Sequence, residues 1–145
     1  MPALEITPST ARPLRAVSIR QPWADAIIFG NKRTENRTWA LPRSAVGTIL
    51  LIHASKSADR GALPTPMTDR WPDDRGALIG YARFPSSHHA STHCCTPWGE
   101  PHAWHWTLTD VHPLPTPVPC PGSLGLWTPP PTALQAITAL TQNNL

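Results

Sequence analysis

The chain has 145 residues, enough for one domain around a single core. Charged residues make up only 14 % of it, against roughly 25 % in ordinary soluble domains, and 19 prolines argue against an all-helical bundle. A net charge of +3 suits a nucleic-acid partner without demanding one, and no apolar run approaches the ~20 residues of a membrane span, so a cytoplasmic protein with no membrane partner is expected.

Taken in chain order, residues 1–14 carry Pro2, Pro8 and Pro13 and read as a loose arm, with one domain over 15–145. A short strand is expected over 16–19. Pro22 suits the first turn of a helix, and Trp23, Ala26, Ile27 and Gly30 recur at one helical face, giving a helix over 22–29. The run GNKRTENRTW at 30–39 then gathers Lys32, one of two lysines in the chain, with Arg33, Glu35 and Arg37. Its second half, 34–39, is expected to be extended. The run GTILLIHA at 47–54 is the strongest strand pattern, apolar enough to be buried on both faces. One or two helical turns are expected over 55–62 and a loop over 63–75.

A second strand is expected over 76–84, with Gly80 marking a bulge or a close approach. Residues 85–101 read as a long polar loop. Over 103–111 Trp104, Trp106 and Leu108 alternate with His105, Thr107 and Thr109, the pattern of a half-buried strand. Alternating prolines from Pro113 to Pro121 predict an extended connection that cannot lie in the middle of a sheet. A last strand over 124–127 and a C-terminal helix follow, with Thr132 and Gln135 as a capping box and Leu134, Ile137 and Leu140 facing inward. Strands throughout, with one helix early and one late, predict an α+β, mainly β architecture: a small barrel with short helices packed across it.

In an extended segment, period-two alternation places Glu35, Arg37 and Trp39 on one face and Thr34, Asn36 and Thr38 on the other. A guanidinium fork, a carboxylate and an indole form a recognition surface for a base or phosphate. Lys32 adds a point charge, or a usable base if it is buried beside Arg37. The same spacing also allows an internal Glu35–Arg37 ion pair that braces the fold, with Lys32 in solvent.

The lead-in Ser18-Ile19-Arg20-Gln21-Pro22-Trp23-Ala24, followed by Gly30-Asn31-Lys32-Arg33-Thr34-Glu35-Asn36-Arg37, resembles the opening of the ASCH domain family in the PUA-like superfamily, with its G-x-K-x-x-E-x-R motif. Leu51-Ile52-His53-Ala54 and Gly122-Ser123-Leu124-Gly125-Leu126-Trp127 resemble that family's second and closing strands, so the likeness runs from 16 to 128. It implies a PUA-like β-barrel with a cleft beside the first helix, lined by Lys32, Glu35 and Arg37. It also implies RNA, another single-stranded nucleic acid or a modified nucleoside as partner. Members of the family are assigned RNA binding, ribonuclease activity or amide hydrolysis on acylated cytidine. In the amidohydrolase branch the motif lysine works beside a threonine and a distant glutamate. Here Glu35 stands where that threonine would, Thr34 is one residue off, and Glu100 is the one later glutamate.

Binding is therefore the expected activity, with Lys32, Glu35, Arg37, Trp23, Trp39 and Trp98 as ligand-binding residues. A ribonuclease or N4-acylcytidine-type amidohydrolase with Lys32 as catalytic residue is the alternative. Trp104 and Trp106 read as packing, and His53 as a satisfied core histidine. The segment around His88, His89, His93, Cys94 and Cys95, with His102 and His105 beyond, lacks the spacing of a closed zinc site apart from His88 or His89 with His93. It reads as a solvated loop, so no metal and no cofactor are expected. Three cysteines do not make a disulfide framework.

Overall fold

A computed structural model describes residues 14–59, 70–91 and 94–142. Nearly all of the expected arm and part of the loop expected over 63–75 lie outside these residues. Five strands make the main sheet: β1 (Arg15–Gln21), β3 (Thr48–Ala58), β4 (Ala77–Phe84), β7 (Thr109–Pro119) and β8 (Leu126–Trp127). Their order is β7-β4-β3-β1-β8, with β1 parallel to β3 and the other pairs antiparallel. A second, antiparallel sheet is ordered β2 (Thr34–Arg37), β6 (Trp104–Thr107) and β5 (Ser87–His89). Neither sheet is closed among the described residues, so the expected barrel is corrected to two open sheets.

Period-two alternation gives the main sheet two apolar faces. Val17, Ile19, Leu50, Ile52, Ile79 and Phe84 pack on one side with helix α1 (Trp23–Ile28) and with Trp106 of the small sheet. Ala16, Leu51, Leu78, Tyr81, Leu114 and Val118 pack on the other with helix α2 (Pro131–Gln142) through Ala133 and Ile137. This accounts for the continuous apolar run of β3, since a strand covered on both faces loses the polar alternation of an exposed one. Gly80 is a close approach: a Cβ there would lie 2.4 Å from Ile28 Cδ1, and the β3–β4 and β4–β7 registers shift beside it.

Several expected boundaries move. β3 runs on to Ala58, where helical turns were expected over 55–62; residues 60–62 lie outside the described residues. The expected loop over 85–101 contains β5. The strand expected over 103–111 is broken at Leu108, whose N–H is taken by the Arg33 carbonyl, and β7 starts afresh at Thr109. The proline-rich stretch is itself a strand, yet it lies at the sheet edge, where the missing N–H groups cost no ladder bond. Helix α2 starts at Pro131, and Leu134 N–H bonds to the Pro130 carbonyl, so Thr132 lies inside the first turn and is not a cap. No helix among the described residues is long and apolar enough to cross a membrane.

Candidate functional site: a charged cleft between the sheets

The charged run begins where α1 ends. Arg33 turns back to donate from Nη1 to the Ile27 carbonyl at 2.9 Å and the Lys32 carbonyl at 3.0 Å, a cation at the negative end of a helix. Lys32 goes the other way and is 3 % exposed. Its Nζ donates to the Thr34 carbonyl and lies 3.3 Å from Glu35 Oε1. Glu35, 6 % exposed, sets its other oxygen, Oε2, 3.0 Å from Arg37 Nε. That nitrogen has no well-aligned hydrogen-bond acceptor, so the contact is an ion pair by proximity. Arg37 donates from Nη2 to the Ser18 carbonyl at 2.8 Å, and its guanidinium lies 5.7 Å from the Trp106 ring centroid. The Lys32–Glu35–Arg37 row is thus one connected, mostly buried network with an excess positive charge.

This network lines a cleft of about 1190 Å³ between β2 of the small sheet and the C-terminal halves of β1 and β3 in the main sheet. Trp23, at the start of α1, and Trp98, in the loop before β6, line it too and meet edge to face at 6.3 Å between centroids. The Trp23 indole N–H is held by Asp59 at 2.9 Å. Trp98 is half-buried and fastened. Asn36 donates to the Trp98 carbonyl at 3.0 Å and accepts from the Glu100 N–H at 2.8 Å. Asn36 was missed because alternation sends it to the face opposite Glu35, and that face meets the loop. Residues 122–125 also line the cleft, with Leu124 96 % exposed.

The structure therefore brings Lys32, Glu35, Arg37, Trp23 and Trp98 together and leaves Trp39 out. Trp39 packs against Trp106 at 4.8 Å, and its carbonyl accepts the Trp106 indole N–H at 3.0 Å. A strand that ends at Arg37 no longer governs which way residue 39 faces.

His53 is a satisfied core histidine, as expected. Its Nε2 donates to the Cys120 carbonyl at 2.8 Å, while Nδ1 lies 3.1 Å from Ser18 Oγ, which also accepts the Trp127 indole N–H. Burial pushes its pKa below the ordinary histidine value, partly opposed by the Cys120 carbonyl. The sign follows from linkage: stability from the neutral ring is complete above the unfolded value of about 6.5 and declines as pH falls below it towards the lower folded pKa. Urea unfolding between pH 7 and pH 5 should show wild-type stability falling more steeply than that of His53→Gln. Equal slopes would contradict this assignment.

Beside the cleft, His88 of β5 stands opposite His105 of β6, and Cys94 and Cys95 of the intervening loop reach the same point. His105 is 1 % exposed, although alternation had placed it on the polar face of its strand. The four ligand-type atoms all lie within 4.8 Å of one another, which the expected solvated loop did not foresee.

Together, the fold and site define a small α+β domain of two packed sheets with a basic, tryptophan-edged cleft at their junction. The family model for the ASCH domain matches residues 17–99, and the chain belongs to that family. The crystal structure of the ASCH protein from Zymomonas mobilis is similar to it with a TM-score of 0.51 and 18 % identity, over 87 % of this chain and 94 % of that one. A point mutant of the same protein gives 0.52 and 18 %, over 89 % and 99 %. At that identity the likeness concerns the fold. No curated protein matches the chain in sequence.

Proposed function

We propose that the chain binds RNA, or another ligand carrying a base and an anionic or carbonyl group, in the cleft between the sheets. The observation that carries this reading is the meeting of a connected cationic network with two indoles in a cavity large enough for a nucleotide. Lys32 has three donor protons and two protein acceptors among the described residues, which leaves one proton for a phosphate or carbonyl oxygen. Arg37 has no protein acceptor at Nη1 among the described residues. Glu35 orients both cations in this reading, in place of the direct ligand contact expected of it. Trp98 and Trp23 supply stacking surface, as in the recognition of unpaired bases.

The Lys–Thr hydrolase reading has less support, because Lys32 meets the Thr34 backbone carbonyl in place of a threonine hydroxyl. The two readings separate in one experiment. Purified wild type, Trp98→Ala and Lys32→Ala are titrated with short single-stranded RNAs and with acylated or methylated nucleosides. Fluorescence anisotropy reads binding to the RNAs, calorimetry reads binding to the nucleosides, and mass spectrometry reads the products. Wild type should bind with an affinity that falls as salt rises, and Trp98→Ala should weaken binding by about 1–3 kcal/mol, roughly 5- to 150-fold, with unchanged melting. A product lost in Lys32→Ala while binding survives would replace the binding reading with a hydrolase. Folded wild type that neither binds nor turns over any of these would contradict the proposal.

A further inference from the structure

We propose that His88, Cys94, Cys95 and His105 hold one zinc ion in a closed tetrahedral site that pins the Trp98 loop to the small sheet. Cys94 Sγ lies 3.2 Å from His105 Nδ1 and 3.6 Å from His88 Nε2, and Cys95 Sγ lies 3.3 Å from the same His88 nitrogen. Zn–S bonds of about 2.3 Å and Zn–N bonds of about 2.0–2.1 Å make tetrahedron edges of roughly 3.3–3.8 Å. Three of the four sulfur–nitrogen spacings are thus close to those edges, all separations among the four ligand atoms lie within 4.8 Å, and two thiolates with two neutral imidazoles would neutralise a divalent ion.

The surroundings are those of a built site. His105 Nε2 lies 2.7 Å from the Glu100 carbonyl, which makes Nε2 the protonated nitrogen and leaves the Nδ1 lone pair for a metal. The Ser91 backbone N–H lies 3.5 Å from Cys94 Sγ, as expected for a donor to thiolate sulfur. Cys95 has φ +59°, a left-handed conformation that a residue with a Cβ adopts at a cost, and it helps two consecutive cysteines reach one point. Gly99 packs so closely over the site that a Cβ would lie 2.6 Å from His105 Cε1 and 2.8 Å from Cys95 Cβ. Neighbouring candidates are used elsewhere: His89 packs on Trp104, and Cys120 is buried in the core cluster under α2.

The consequence concerns the cleft. Trp98 lies between Cys95 and His105, and the same loop is clipped by Asn36 of β2, the strand that carries Glu35 and Arg37. Bound metal would fix the loop at both ends and hold Trp98 against Trp23. This last step rests on the binding reading above; the metal site does not.

Metal content of the purified full chain, measured by elemental analysis and native mass spectrometry, tests the site. Cobalt reconstitution of the chelated protein then reports geometry. Wild type and His89→Ala should carry one zinc per chain and show the thiolate charge-transfer and visible bands of tetrahedral cobalt. Cys94→Ser and Cys95→Ser should lose the stoichiometric zinc. If those variants fail to fold, cobalt titration of the wild type still decides. Folded wild type that takes up neither metal at one equivalent, or a cobalt spectrum unchanged in Cys95→Ser, would overturn the proposal. Metal uptake without RNA binding would keep the zinc site and remove the cleft reading. RNA binding by a chain that takes up no metal would do the reverse.

Discussion

Glu35→Ala should destabilise the fold by about 3–5 kcal/mol, the usual cost of breaking a buried ion pair by removing one partner. The substitution leaves the Lys32 ammonium, 3 % exposed, with the Thr34 carbonyl as its remaining partner among the described residues, and it strips the nearby carboxylate from Arg37. A solvent-exposed pair would cost no more than about 1 kcal/mol, so the size of the loss discriminates. Urea denaturation is the measurement, and the double variant Lys32→Met/Glu35→Leu is its control. Removing both charges should recover much of the loss, because desolvation offsets most of what a buried pair gains. A Glu35→Ala midpoint within error of wild type would mean that water reaches the network and that it braces nothing.

The second large effect is expected at Trp106, which is fully buried in the core between the sheets. Its ring meets Trp39 at 4.8 Å and Phe84 at 6.3 Å, both edge to face, and Arg37 lies over it. Trp106→Ala should cost about 3–5 kcal/mol through the cavity it leaves, and it also strands the Trp39 carbonyl. Trp104→Ala, two residues away on the same strand, should cost clearly less, since that ring is only half-buried and packs on His89. Equal losses at the two positions would contradict the placement of the small sheet against the main one. The Trp106 variant should also weaken ligand binding, because the surface under Arg37 is gone.

What the sequence shows and what it hides follow from the range of the interactions. The cores of β3 and β4 are legible because an apolar run covered on both faces leaves a local pattern. The lysine, glutamate and arginine of the cleft are legible from spacing joined to the family resemblance. Arg33, within the same charged run, serves α1 instead, and only the end of the helix shows this. Alternation misassigned His105 because it takes one face of a strand to be wet, whereas β6 lies between two strands with a loop folded over it. The Cys/His cluster escaped for a related reason. His88 and His105 are joined by strand register, a property of pairing that no spacing rule along the chain records. The proline-rich strand shows a rule that was right about position and incomplete about form: proline barred the middle of the sheet and left its edge open.

Ligand is expected to enter between the two sheets and to meet the Lys32–Glu35–Arg37 network and the Trp98 loop. The most direct test is chemical-shift mapping of the ¹⁵N-labelled chain with a short single-stranded RNA, read on backbone amides and on the indole N–H groups. Binding in the cleft should shift the indoles of Trp23 and Trp98 and the amides of 34–37 and 98–100, with Trp104 and helix α2 unmoved. Saturable shifts confined to α2 or to the outer edge of β7, with the cleft silent, would contradict it.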